Sequence, residues 1–204
     1  MNGRLITLEG GEGAGKSTQA TAVAAWLRAR GRTVCQTREP GGSPLAEAIR
    51  GVVLADWAEG VTPTTEVLLM FAARAAHWHH VIAPALAAGT DVVCDRFLDS
   101  SFAYQGAKGV PALQLTTLSD WVLGGRRPDL TLLFDLPPEE GLRRARRRGE
   151  ENRFEREALV AQQAIREGFL KQAEAAPERF VVIDARPSAT QVSAAVQAVL
   201  EARL

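Results

Sequence analysis

The residues best suited to chemistry lie together near the amino terminus, in the run Gly10, Gly11, Glu12, Gly13, Ala14, Gly15, Lys16, Ser17. Gly10, Gly15, Lys16 and Ser17 fall in register with the pattern GxxxxGK[ST]. Residues without a Cβ let successive N–H groups converge on phosphate oxygens, and a helix that follows aims its positive end at the same anion. Lys16 is placed to reach β- and γ-phosphates, and Ser17 to ligate magnesium through its hydroxyl. Gly11, Glu12, Gly13, Ala14 and Thr18 complete the expected contact with a nucleotide.

The motif requires a strand before it and a helix after it. Leu5–Leu8 is a short apolar run of the buried-strand kind, and Val23, Trp26 and Leu27 recur at helical spacing until Gly31. Further β-rich runs stand at Thr33–Gln36, Asp91–Cys94, Leu130–Leu136 and Phe180–Ile183, separated by helical patterns. The alternation predicts an α/β fold with a parallel sheet covered on both faces. A helix is expected from Pro44, with Leu45, Ile49 and Val52 on one side. A longer one runs from Thr64 towards Ala88, bent or ended at Pro84. Others are expected over Ala112–Leu123, Pro138–Arg147, Glu155–Ala175 and Ser188–Arg203. No repeat or linker interrupts the 204 residues, so one domain over 1–204 is expected.

Formal net charge is zero, which excludes a global basic field for a long polyanion, so phosphate recognition must be local. Cys35 and Cys94 sit in apolar runs without metal-ligand spacing and read as reduced, buried thiols. The absence of a leader or a long apolar span points to the cytoplasm and away from membranes. A GTPase would need an NKxD-type reader, yet Asn2 and Asn152 are the only asparagines and neither precedes a lysine. A small kinase acting on a small molecule remains. TREPGG (Thr37–Gly42), DRF (Asp95–Phe97) and the loop all close strands at their carboxyl ends, where parallel sheets bind ligands. Arg38 and Arg96 supply charge there for a second phosphate facing the γ-phosphate.

EGGEGAGKST, TREPGG, DRF with DSSFAYQG, RPDLTL and RRARRRGEENR follow one another at family spacing over nearly the whole chain. In these motifs the chain resembles thymidylate kinase (dTMP kinase) of the bacterial type. The resemblance implies a P-loop nucleoside-monophosphate-kinase fold: a five-stranded parallel sheet with helices on both faces and a mobile arginine-rich lid at about 143–154. It implies transfer of the ATP γ-phosphoryl group to dTMP, with Mg2+ held near Ser17 and Asp95, and a homodimer. A kinase for another (deoxy)nucleoside monophosphate or for a deoxynucleoside is the alternative, and a nucleotide-binding module without catalysis a third. The acceptor motifs and the intact loop separate these.

By the same resemblance Arg38 and Arg96 hold the dTMP phosphate, and Glu12 faces the sugar 3′-hydroxyl and the metal region. Gly13 stands where eukaryotic relatives place an arginine, so the transition-state arginine passes to the lid, as Arg148, with Arg153 and Arg143 behind it. Arg74, Ser101 and Gln105 match base-facing positions, Tyr104 the position beside the sugar 2′ carbon, and Arg50 a further approach to the acceptor. Related enzymes stack thymine on a phenylalanine four residues before the arginine. Met70 occupies that place here, and Phe71 beside it is the expected stacking residue. His77, His79 and His80 lack a carboxylate or cysteine at ligand spacing and read as a partly exposed helix surface.

Overall fold

In the computed structural model, residues 3–148 and 159–204 are described, with backbone alone for 146–148. Five strands, β1 (Leu5–Glu9), β2 (Val34–Arg38), β3 (Asp91–Asp95), β4 (Leu130–Asp135) and β5 (Phe180–Asp184), form one sheet in the order β2-β3-β1-β4-β5. Every pairing is parallel, with Leu8 beside Asp95 and Glu9 beside Leu133. The chain passes from β1 to the edge strand β2, returns to insert β3 between them, and then reverses to lay β4 and β5 on the other side of β1. The reversal therefore opens a crevice at the carboxyl end of β1, where such sheets bind ligands.

Period-two alternation supplies two apolar faces. Ile6, Leu8, Val93, Leu132 and Phe134 pack with Val23 and Leu27 of helix α1 (Lys16–Arg28) and with Val192, Val196 and Leu200 of α9 (Ala189–Arg203). Leu5, Val92 and Cys94 face the other way, towards α3 (Pro63–His77), α4 (Ala83–Ala87), α5 (Leu98–Ala107) and α6 (Ala112–Leu123). Leu133 and Phe180 meet Ala103 and Tyr104 of α5 and Ile165 and Phe169 of α8 (Leu159–Ala175). The expected α/β class, with helices on both faces of a five-stranded parallel sheet, is the one observed. No helix among the described residues is long and apolar enough to cross a membrane.

One local expectation is corrected and another is narrowed. In α2 (Pro44–Leu54) the buried residues are Ala46 and Val53, whereas Leu45 and Val52 are exposed. Ala46 packs against Ala73 and Ala76, so α2 and α3 approach through small side chains and rotate the larger ones outward. Pro84 does not end the long helix. A π-turn over Trp78–Ile82 joins α3 to α4, with the Ala83 N–H bonding to the Trp78 carbonyl. A widened turn of this kind accommodates the backbone that proline perturbs.

The sheet's second face also carries polar side chains. The Thr7 and Thr131 hydroxyls bond at 2.9 Å, and Arg179 grips Asp99 at 2.9 and 2.7 Å from the two guanidinium nitrogens. Asp99 is buried, at 1% exposure. Breaking such a pair from one side strands a buried charge, at a cost of about 3–5 kcal/mol. An exposed pair such as Arg30–Glu201 is worth about 0–1 kcal/mol. Urea unfolding of Arg179→Ala, which strands Asp99, and of Glu201→Ala should therefore show a loss of about 3–5 kcal/mol for the first and under about 1 kcal/mol for the second. Similar losses for both would contradict a structural role for the Asp99–Arg179 pair.

Candidate active site

The loop between β1 and α1 takes its shape from glycines in conformations that other residues avoid. Gly10 has φ 138° with its α-carbon against the Phe134 carbonyl, so any Cβ would collide with it. Gly13 has φ 72° and meets the Gly141 carbonyl of α7 (Pro138–Arg148) in the same way. The first turn of α7 is thereby seated on the loop. Gly15, at φ 86°, caps α1 with no side-chain hydrogen bond, which leaves the start of that helix to a bound anion.

Lys16 folds back over the loop, with Nζ donating to the carbonyls of Gly10 at 3.1 Å and Gly11 at 2.7 Å. Burial, then the nearby Arg96 charge, lower its pKa to about 8 against the pull of Glu12, Asp95 and Glu9. Ser17 Oγ donates to Asp95 Oδ2 at 2.6 Å, which brings the expected pair of hard oxygen donors together. Magnesium takes one or two protein oxygens and fills its other positions with phosphate and water, so this pair fits such an ion. The described residues contain no group of three or more His, Cys, Asp or Glu side chains placed to hold a metal.

Arg96 stands where β3 ends, at φ 65°, in the left-handed region that a side chain disfavours. Several contacts fix it there. Its N–H bonds to the Leu8 carbonyl, NH1 donates to the Gly10 carbonyl at 2.9 Å, and NH2 donates to Glu12 Oε1 at 2.6 Å. The Tyr104 hydroxyl donates to the same Glu12 oxygen at 3.0 Å. Burial, reinforced by Glu12, keeps that phenol well above its ordinary pKa, so it remains a donor.

Glu9, at the end of β1, has no local signature and is missed by sequence reasoning. Its Oε1 accepts the backbone N–H of Phe97 at 2.8 Å and of Ser100 at 3.3 Å, while Oε2 accepts the Ser100 hydroxyl at 2.6 Å. The N-cap of α5 is Phe97, which has no capping side chain of its own, so a carboxylate nearly 90 residues away in sequence supplies the cap. Burial and the charge of Asp99 raise the Glu9 pKa to about 7.

A cleft of about 420 Å³ joins these parts. Glu12, Lys16, Ser17, Thr18, Asp95 and Arg96 line it with Gly13 and Gly15. Arg38, Glu39, Arg50, Met70, Tyr104 and Gln105 form the other portion. Arg38 is half-exposed and pairs with Glu47 at 2.9 Å, and Arg50 donates to the Pro40 carbonyl at 2.8 Å. Phe71 does not line the cleft. It packs with Val67 and Phe97 in the core, under the Arg74 guanidinium at 4.7 Å, and Met70 stands at the cleft wall in its place.

Arg74 and Ser101 are buried and are not among the residues that line the cleft. Arg74 donates to Glu39 at 2.7 Å, to the Ser101 hydroxyl at 2.9 Å and to the Phe97 carbonyl at 2.9 Å. His77 is fully buried, which corrects the expectation of an exposed helix surface. It bridges Glu39 at 3.1 Å and the Thr37 hydroxyl at 2.7 Å, whereas His79 and His80 are exposed. Arg143 pairs with Glu140 at 2.7 Å on the first half of α7. The side chain of Arg148, and Arg153 with the second half of the expected lid (149–154), lie outside the described residues.

Three comparisons with known proteins bear on this arrangement. The family model described as thymidylate kinase matches residues 8–196. The thymidylate kinase of Pseudomonas fluorescens (strain SBW25) is 52% identical over 201 residues, covering 98% of this chain and 96% of that one. The thymidylate kinase of Chromohalobacter salexigens is 54% identical over 206 residues, covering 99% and 97%. The crystal structure of thymidylate kinase from Ehrlichia chaffeensis superposes with a TM-score of 0.79 at 30% identity, over 98% of this chain and 99% of that one.

Glu9 yields a pH signature. Its folded pKa of about 7 lies above the ordinary 4.5, so the folded state holds the proton more tightly than the unfolded chain. The stability it contributes is complete below about pH 4.5 and is lost as pH rises to about 7, at about 1.4 kcal/mol per pKa unit. Glu9→Gln carries no such proton. Chemical unfolding at pH 5 and pH 7.5 should show the variant gaining about 2–3 kcal/mol on the parent between the two values. A constant difference would contradict the raised pKa.

Proposed function

We infer the division of labour at this site from one premise, that the chain belongs to the thymidylate kinase family. It is an ATP:dTMP phosphotransferase that converts dTMP to dTDP for dTTP synthesis, on a P-loop nucleoside-monophosphate-kinase fold. The observation that carries the roles is the shared crevice, in which a phosphate loop with Lys16 faces a second cationic group, Arg38, Arg50 and Arg96, across one cleft.

ATP lies with its β- and γ-phosphates in the loop Gly10–Thr18. The loop N–H groups and Lys16 take its charge, and Ser17 and Asp95 are the residues that hold Mg2+, which neutralises the phosphates when bound. The dTMP phosphate sits on Arg38 and Arg96. Its second pKa is about 6, so it arrives largely as a dianion and needs no general base. A phosphate oxygen of dTMP attacks the γ-phosphorus, that P–O bond forms, and the bond to the β–γ bridging oxygen breaks with its electron pair on ADP. Protein groups contribute position and positive charge. Glu12 holds Arg96 and Tyr104 beside the acceptor sugar. Gln105 faces thymine, with Arg74 and Ser101 supporting the pocket from behind and Met70 as the apolar contact in preference to Phe71.

The arginine for the transition state comes from the lid, with Arg148 as the residue. In support, Gly13 has no room for a side chain because the backbone of α7 is pressed against it, and α7 carries the arginine run away from that contact. We extend the same reading to a homodimer, supported by exposed Leu68 on α3 and exposed Leu113 and Trp121 on α6, a helix that packs with α3. It extends equally to a cytoplasmic protein of one domain that uses neither nucleic acid nor membrane.

A coupled assay of ADP release with dTMP, dUMP, dCMP and thymidine tests the acceptor assignment, with dTMP expected to be preferred. In the same assay Arg148→Ala should lower kcat by about 10³–10⁵ while the dTMP affinity measured by calorimetry changes little. An unchanged kcat would pass the role to Arg153 or Arg143.

A further inference from the structure

Arg38 enters the cleft from the end of β2, the edge strand of the sheet, and its side chain is half-exposed. A long side chain in that position samples many rotamers, and fixing it on a ligand costs affinity. One carboxylate already restrains it. Glu47, in the first turn of α2, accepts from Arg38 NH2 at 2.9 Å through Oε2 and from the Gly42 N–H at 2.8 Å through Oε1. The second bond ties the carboxylate to the backbone turn that follows Arg38. Gly41, at φ 132°, permits the approach, because a Cβ there would collide with Glu47 Oε1. Glu47 itself is not among the residues that line the cleft.

The same anion serves Arg50, which follows it on α2 and also lines the cleft. Arg50 donates to the Pro40 carbonyl at 2.8 Å, so α2 grips the turn at two points. Its guanidinium is held below the ordinary arginine range, first by burial and then by the charge of Arg38, while Glu47 acts in the opposite sense. Two neighbouring cations repel each other until a phosphate arrives, and an anion beside them offsets that repulsion beforehand. A guanidinium carries five donors, so the bond to Glu47 leaves others for a phosphate.

We propose that Glu47 is a positioning residue for the acceptor phosphate: fixed to the Gly42 N–H, it holds the Arg38 guanidinium at the cleft, so that a phosphate monoester meets an arginine already in place. The proposal rests on the assignment of Arg38 to the acceptor phosphate. Without the carboxylate the ligand itself must order Arg38, and its affinity falls by that cost. The charge of Glu47 also opposes a phosphate. The carboxylate is 41% exposed, however, and solvent screens it, so the lost order outweighs the lost repulsion.

Calorimetric affinities for dTMP and thymidine test this, because the two share sugar and base and differ only in the phosphate. In Glu47→Gln the amide carbonyl keeps the Gly42 N–H, and its NH2 group, a donor, is left facing Arg38. Glu47 is partly exposed, so the fold survives the change. The variant should bind dTMP about 3- to 10-fold more weakly and thymidine within about twofold of the parent. The same substitution in an Arg38→Ala background should leave dTMP affinity unchanged, as a double-mutant cycle requires when one residue acts through the other. Unchanged or tightened dTMP binding in Glu47→Gln, an equal loss for thymidine, or a loss of the same size without Arg38 would overturn the proposal. Arg38→Ala alone separates the two levels of the argument. A dTMP affinity unmoved in that variant removes the phosphate assignment and the proposal with it. A lowered affinity there, together with a Glu47→Gln affinity equal to the parent's, removes only the positioning role.

Discussion

The ion pair between Arg96 and Glu12 ties together the two strand ends on which the cleft depends. Arg96 closes β3, Glu12 belongs to the loop that closes β1, and their contact at 2.6 Å holds the two elements at one separation. Arg96 makes this pair at φ 65°, a backbone state that costs a side-chain-bearing residue about 1–3 kcal/mol. The surroundings over-determine it. The Leu8 carbonyl takes its N–H, the Gly10 carbonyl takes NH1, and the Tyr104 ring lies 5.0 Å from its guanidinium carbon. In the proposed reaction the same guanidinium meets the acceptor phosphate already oriented, so little ordering remains to be done when substrate arrives.

A second layer of buried acids stands behind the groups that reach the cleft. Glu39 accepts from Arg74 and His77, and Glu9 caps α5. Glu66 fixes Gln105, and Asp99 holds Arg179. Each lies where the dielectric is low, so a satisfied pair is stiff and an unsatisfied one is expensive. This arrangement lets α5 carry Ser101, Tyr104 and Gln105 as a single rigid rail beside the cleft. The tilt of the Tyr104 ring against Phe169 at 6.2 Å anchors that rail to α8.

The sequence was most legible where chemistry is local. The glycine loop, Lys16, Ser17 and the strand ends at Asp95 and Arg38 lie within short motifs, and the strands they close matched their apolar runs to within a residue or two. What was hidden depended on distant partners. Glu9 reads as the end of an apolar strand, and its role emerges only when β3 and α5 fold over it. His77 looked like a surface histidine because the carboxylate that receives it, Glu39, comes from another motif altogether. Phe71 and Met70 are adjacent on α3, so a shift of one residue rotates about 100° around the helix and exchanges core for cleft. The same rotation turned Leu45 and Val52 of α2 outward, because Ala46 permits the closer approach to α3.

In the proposed reaction Arg96 relieves repulsion between two bound anions, and the thermodynamic coupling between the two sites measures that relief. Calorimetric dTMP affinities for the parent and Arg96→Ala would be compared with and without a non-hydrolysable ATP analogue. Binding of dTMP should weaken in the variant under both conditions, and by at least about tenfold more with the analogue present, which is about 1.4 kcal/mol of coupling. Equal losses in the two conditions would contradict it, and would leave Arg96 as a simple phosphate contact with no part in bringing the anions together.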